Sequence, residues 1–363
     1  MSTKNIWVYD IEQLVNFHSC YFLNVKTQEE IYFIIHESQN DIKEYREFLK
    51  TEVDGMVGFN CINYDYHLID EVLNGGIQNY DLLNDKLYDL SQKVIDKKFS
   101  RFWNPDIPQL DLYLMMHFNN LARSTSLKEI EFVLKMENVE DMPFSHSDEI
   151  EAGDIDDIIS YNRNDVVATY KFFIELKKEI NLRKKNSKKY NVNLINHNDP
   201  AMGTEILLHY LSEIYGVSKR VIKKSNTRRE TIFLDNCIIN KDADDLATDY
   251  YKDLVIDIDK KGKVQTDISK DVIYKGFKYS FGKGGIHGAT TGIHKANKDQ
   301  KIYSIDVKSY YPNISINHNI YPEHLGYGFT KAYEKIYNER QNYPKATHFA
   351  ENYGYKIALN GSF

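Results

Sequence analysis

Cysteine is scarce in this chain of 363 residues. The three present, Cys20, Cys61 and Cys237, stand far apart, so no spacing suits a zinc site and no even-numbered set suggests a disulfide framework. A reducing cytoplasm is the expected compartment. Long apolar runs are also missing. The opening MSTKNIWVYDIE reads as neither a secretion signal nor a membrane span. An excess of positive charge is lacking too, since the formal net charge is −7. Taken whole, that sum argues against a simple nucleic-acid-binding surface. There is no internal repeat and no low-complexity block.

What is present is apolar and aromatic. Hydrophobic residues make up 42% and aromatics 13% of the chain, with 28 Tyr and 18 Phe, enough to build real cores. The length suggests two or three domains. The net charge hides an asymmetry: residues 1–180 hold 17 basic and 33 acidic residues, and the remainder 29 and 20. An acidic half that needs divalent cations is joined to a basic half able to hold a phosphate backbone. Two domains with different surface charge would show the same split.

Up to about Lys178, strand-like and helix-like runs alternate, which predicts an α/β layer fold. Strands are expected at Asn5–Asp10, Glu30–His36 and Val53–Asn60. Helices are expected at Lys43–Lys50, Asp65–Leu73, Leu127–Met136 and Ile155–Ile180. Asn181–Pro200 is basic, rich in Asn and closed by proline, and reads as a linker or exposed crossing. Beyond it, Ala201–Tyr215 and Phe349–Phe363 read as helices and Ile302–Asp306 as a strand.

Three short patterns carry chemistry. Asp10 and Glu12 end an apolar strand two residues apart, so both carboxylates face one side. The run Val57–Asp65 delivers Asn60 from a strand and places Asp65 at the start of a helix, where alone it would read as an N-cap. Tyr161 and Asp165, four apart on a helix, share a face. Alone, that pair would read as a surface Asp with a Tyr packed beside it. Four carboxylates, Asp10, Glu12, Asp65 and Asp165, supply hard oxygen ligands for two Mg²⁺ or Mn²⁺ ions. Such a cluster is costly without cations, because like charges disfavour joint ionisation.

In the order D-x-E, N-x₄-D, Y-x₃-D, these patterns resemble the three motifs of the Tyr-containing DEDD 3′→5′ proofreading exonucleases. That resemblance implies a ribonuclease H-like fold and catalysis by Asp10, Glu12, Asp65, Tyr161 and Asp165. Tyr161 would orient the attacking water, and Asn60 and Tyr64 would contact the terminal nucleotides. Ser126 and Leu127 resemble the start of a Ser/Thr-Leu-x-x-hydrophobic motif that holds a single-stranded 3′ end; Ser126 reads equally as a helix N-cap. Gln13 departs from the protein-primed members, which carry a DNA-contacting Thr there.

Further along, Asp306–Pro312 resembles motif A of family B DNA polymerases. There Asp306 and the Val307 carbonyl would hold metal, and Tyr311 would pack beneath the incoming sugar. Lys356–Phe363 resembles motif B, with Lys356 and Asn360 facing the nucleotide and Arg340 as a second phosphate ligand. The Gly284–Gly285 pair resembles a glycine segment that contacts DNA between the two domains, with Phe281 in place of Tyr. Motif C, which supplies the second palm carboxylate, is absent.

The resemblance as a whole is to the N-terminal part of a phage-type family B DNA polymerase. It implies an exonuclease domain over 1–180, a linker over 181–200, an N-terminal palm region over 201–300, and a partial palm with short fingers helices over 301–363. The expected partners are single-stranded and primer–template DNA and a C-terminal polymerase chain, with dNTPs once the polymerase site is completed. No membrane is expected, and the location would be the cytoplasm, that of the host if the chain is viral. Against this stand two other readings: a non-catalytic DNA-binding subunit, and an inert product of an interrupted gene.

Overall fold

A computed structural model describes residues 5–96, 104–120, 124–139, 141–225, 231–233, 255–257, 269–282 and 285–361. The described chain falls into two compact units, Met1–Tyr210 with Tyr333–Phe363, and Leu211–Ala332. The first is mixed α/β.

Its centre is a six-stranded sheet built from β1 (Ile6–Gln13), β2 (His18–Asn24), β3 (Glu30–His36), β4 (Gln39–Asn40), β5 (Gly55–Gly58) and β6 (Gln109–Asp111), in the order β4-β3-β2-β1-β5-β6. β1 pairs antiparallel with β2, setting Asp10 opposite Tyr21 and Glu12 opposite Ser19. On its other side it runs parallel to β5, and β5 runs parallel to β6. β1, β5 and β6 therefore end along one edge, where ligand sites of parallel sheets gather.

Alternation along β1 decides what faces what. Trp7, Tyr9 and Ile11 enter one apolar cluster with α1 (Ile42–Thr51), α2 (Asp65–Asn74) and α3 (Tyr80–Ile95), through Phe48, Tyr66 and Leu87 among others. Val8 enters a second cluster on the opposite face with Val57, Leu110, Val166 and Phe172. The last two belong to α6 (Ile155–Glu175), which packs on β1 and β2. Asp10 and Glu12 share the parity of Val8, so they project toward α6.

The helices expected over Lys43–Lys50 and Asp65–Leu73 are present, each longer by one or two residues. The seven fully buried residues of β2 were not anticipated; HSCYFLN lacks the polar–apolar alternation that marks a strand. The stretch read as a linker begins inside a helix, α7 (Lys177–Tyr190), separated from α6 by a break at Leu176. The buried face of α7, Leu182, Arg183, Asn186 and Tyr190, keeps helical spacing but is diluted among exposed lysines. Asn191, at φ +47°, ends the helix in the left-handed conformation that Asn tolerates. Around α6 and α7, α4 (Leu112–Met115), α5 (Leu127–Val133) and α8 (Asp199–Tyr215) complete the elements that bear on the site.

The C-terminal helix, read as Phe349–Phe363, spans Phe349–Asn360. Within the first unit it lies close against α7 and α8. Tyr353 donates to Asp199 at 3.0 Å, and Lys185 pairs with Glu351 at 3.2 Å. A Cβ added at Gly203 would lie 2.7 Å from the Ile357 carbonyl oxygen. That contact decides the sign of a substitution. Gly to Ala inside a helix ordinarily gains about 1 kcal/mol. Forcing two packed backbones apart costs roughly 1–3 kcal/mol. Gly203→Ala is therefore expected to lower the melting temperature by several degrees in a thermal melt; an unchanged or higher value would show that the helices are not in backbone contact.

The second unit holds the antiparallel strands β9 (Lys270–Tyr274), β10 (Phe277–Gly282) and β11 (Gly285–Ala289) in the order β11-β10-β9, beside the pair β7 (Thr231–Phe233) and β8 (Val255–Asp257). Lys275 and Gly276 both have positive φ, as a two-residue turn between β9 and β10 requires. The strand expected at Ile302–Asp306 does not form. Ile302, Tyr303 and Ile305 are 68%, 76% and 91% exposed, and no strand among the described residues pairs with them. An apolar run without a partner leaves its backbone bonds unmade and has no reason to extend. Among the described residues no helix is long and apolar enough to cross a membrane.

Candidate metal centre

At the end of β1, Asp10, Glu12 and Asp165 each bring one carboxylate oxygen within 4.8 Å of the others. Oxygens bound to one Mg²⁺ at about 2.0–2.1 Å lie up to about 4.2 Å apart, so three oxygens this close need only a small adjustment to share an ion. The donor set therefore fits an oxygen-seeking cation such as Mg²⁺ or Mn²⁺. Strand pleat sets the first two residues, and α6 brings the third across.

Asp65 lies outside that triplet but is electrostatically tied to it. Its carboxylate accepts from the backbone N–H of Ile11, between Asp10 and Glu12. Burial pushes its pKa up to about 7. Burial also lifts Asp165 to about 7, with Glu131 adding to the effect. Asp10 and Glu12 are raised well above the usual carboxylate range, first by burial and then by repulsion from the other acids. The shared cause is the burial of several like charges together, a cost that a bound cation would relieve.

Supporting side chains fix these groups. Asn162, fully buried, donates from Nδ2 to Asp10 Oδ2 at 2.9 Å. Tyr161, buried on the same helix, is hydrogen-bonded to Asp165, and its hydroxyl stays protonated because burial and the nearby carboxylates raise its pKa. Glu131 on α5 is 1% exposed, accepts from Asn164 Nδ2 at 3.1 Å and shares a hydrogen bond with Asp165. Sequence reasoning missed Asn162 and Glu131. Asn162 follows Tyr161 and precedes Asp165 by three, a spacing that puts it near the same face, but Asn carries no charge to draw notice.

The other expected residues are placed as follows. Asn60 lies in the turn after β5 at φ +66°, and Tyr64 precedes α2 with its hydroxyl bonded to Ser91. Ser126 caps α5 in a reciprocal box with Glu129: its Oγ accepts from the Glu129 N–H at 3.2 Å, while Glu129 accepts from the Ser126 N–H at 2.7 Å. Leu127, next to it, is half-buried. Gln13 is 4% exposed and turned inward, donating to the Leu14 and Phe17 carbonyls and accepting from His18. It therefore closes the β1–β2 turn. Asp306, Val307 and Tyr311 are exposed and belong to the second unit. Arg340 is half-buried, while Lys356 and Asn360 are exposed, and all three belong to the first unit. No acidic cluster forms around Asp306 among the described residues. Gly285 begins β11, and Gly284 lies outside the described residues.

No protein-family model matches the sequence, and no curated protein does. Among solved structures, the family B DNA polymerase from the hyperthermophilic archaeon Pyrobaculum calidifontis is similar, with a TM-score of 0.48 and 12% identity over 99% of this chain and 46% of that one. The chain spans about half the length of that polymerase.

Proposed function

We propose that the cluster at the end of β1 is a metal-dependent 3′→5′ exonuclease centre acting on single-stranded DNA, in a chain organised as the N-terminal part of a family B DNA polymerase of phage type. The observation that carries this reading is the convergence of Asp10, Glu12 and Asp165 on one point, with Asp65 coupled to them. The strand order, antiparallel from β4 to β1 and parallel from β1 to β6, supports a ribonuclease H-like exonuclease fold.

Mg²⁺ or Mn²⁺ held by these carboxylates would lower the pKa of a bound water and stabilise charge on the leaving 3′-oxygen. The protein's own residues do the rest. Asn162 fixes which oxygen of Asp10 faces the cluster. Tyr161, neutral and bonded to Asp165, is suited to aligning the attacking water. Asn60 and Tyr64 precede Asp65 in the sequence and suit contact with the terminal nucleotide, and Ser126 and Leu127 suit contact with the strand behind it. Tyr161→Phe is expected to lower the rate constant for strand shortening roughly a hundred- to ten-thousandfold, the typical range for a positioned acid–base group, while leaving Mn²⁺ affinity near wild type in a calorimetric titration. A parallel loss of both would assign Tyr161 to holding Asp165 alone.

Asp306, Val307, Tyr311, Arg340, Lys356 and Asn360 are proposed as part of a polymerase nucleotide site. Primer extension needs a second carboxylate beside Asp306 to hold two metals, so it is proposed only for an assembly that supplies one. The exonuclease reading is tested by comparing a linear single strand with a circular one. Degradation of the linear strand and survival of the circle are expected. Cutting of both would make the centre an endonuclease and end this reading.

A further inference from the structure

One buried carboxylate beside the site belongs to none of the sequence patterns. Asp111, the last residue of β6, has no solvent exposure. Strand register sets it directly beside Gly58, the last residue of β5. Its Oδ1 accepts from the Asn60 N–H at 3.1 Å and from the Leu114 N–H at 3.0 Å, and its Oδ2 accepts from the Ile62 N–H at 3.0 Å. The first and third of these bonds clamp the turn between β5 and α2.

That turn is folded flat against its strand. A Cβ on Gly58 would lie 2.6 Å from Cys61 Cβ, so only glycine lets the chain double back there. Within the turn, the Asn63 N–H and Nδ2 reach the Asn60 carbonyl and Oδ1 at 3.0 and 2.6 Å, and the Tyr66 N–H reaches the Cys61 carbonyl at 2.9 Å. Asp65 then opens α2 and docks on the Ile11 N–H. Asp111 is itself held in place. Its N–H donates to Asn196 Oδ1 at 2.8 Å, and Asn196 Nδ2 donates to the Gln109 carbonyl at 2.9 Å, so one side chain closes the free edge of β6.

We propose that Asp111 is a positioning residue of the hydrolytic centre, whose carboxylate fixes the Asn60–Ile62 turn and through it the placement of Asn60 and Asp65. The proposal rests on the exonuclease reading. Asp111 also caps α4 through Leu114, and a purely structural cap is the competing role.

Two substitutions separate the roles. Asp111→Ser keeps a hydroxyl suited to capping Leu114 but is too short to span both turn amides. Asp111→Asn keeps one acceptor oxygen in place and turns the other into a donor. Both are compared with wild type by single-strand hydrolysis and by amide hydrogen exchange. For Asp111→Ser, kcat is expected to fall about ten- to a hundredfold, as a shift of about 1 Å in a reacting group does, with KM for DNA within about threefold. The Asn60 and Ile62 amides are expected to exchange at least about tenfold faster, while amides of the β1–β2 pairing are unchanged. Asp111→Asn is expected to lose less on both readings.

Wild-type kcat in Asp111→Ser with the two amides exposed would overturn the inference alone. So would a kcat loss without faster exchange at Asn60 and Ile62, or uniformly faster exchange in both variants. A folded wild-type chain that leaves DNA intact would overturn the exonuclease reading and this inference with it.

Discussion

Asp10→Asn is expected to lower hydrolysis of a single-stranded 3′ end roughly a thousandfold or more, and at the same time to raise the melting temperature of the metal-free protein at pH 8. The two effects have one cause. Asp10 stands among Glu12, Asp65 and Asp165, each of which raises its pKa, and a neutral amide removes all three of those repulsions. The amide oxygen can still accept from Asn162 Nδ2, and its NH₂ can donate to the remaining carboxylates. The variant should therefore fold better and work worse, the trade expected where function demands charges that the fold alone disfavours. A thermal melt and a gel assay read both quantities on one preparation. Loss of activity together with loss of stability would mean that Asp10 serves the fold. Retained activity would remove it from the catalytic set.

Divalent cations are expected to raise the melting temperature far more at pH 8 than at pH 5.5. Asp65 and Asp165 titrate near 7 in the folded chain, above the ordinary carboxylate range. Between about pH 4 and pH 7 the folded state therefore holds protons that the unfolded state has released, and stability falls as pH rises through that window. A cation takes the place of those protons. At pH 8 it meets Asp65 and Asp165 largely ionised, and at a hundred times its dissociation constant it adds about 2.7 kcal/mol, a rise on the order of 5 °C for a protein of this size. At pH 5.5 protons compete, and a rise under about 2 °C is expected on the same scale. His18 acts in the opposite direction, since burial lowers its pKa to about 3 and costs stability once the unfolded histidine protonates. Its contribution is the same with and without cation, so it cancels from the difference. An equal shift at both pH values would show that the carboxylates do not bind the ion together.

The carboxylates proposed to hold metal were readable in the sequence for a physical reason. Each lies on an element with a strong period. Asp10 and Glu12 ride a strand whose apolar residues alternate, and Asp165 rides a long amphipathic helix, so side-chain direction follows from spacing alone. The groups that hold them were not readable. Asp111 ends a three-residue strand, too short to show a period, and it acts on backbone amides that any residue could have supplied. Asn162 is recognisable only once Asp10 stands opposite it. The helix that reaches into residues 181–200 was not legible because lysines outnumber the apolar residues on α7 and mask its buried face. The strand reading of Ile302–Asp306 gave way because an apolar run specifies burial, and pairing requires a second strand that those residues cannot supply.

The central claim is that the Asp10–Glu12–Asp165 cluster, with Asp65, removes nucleotides from a 3′ end. The most direct test is a 5′-labelled single strand incubated with the folded chain and Mg²⁺ or Mn²⁺, beside a chelator control and the Asp165→Asn variant. A ladder that shortens stepwise from the 3′ end, and is lost with either control, is the predicted result. Intact DNA with both metals, or a ladder that survives Asp165→Asn, would contradict it.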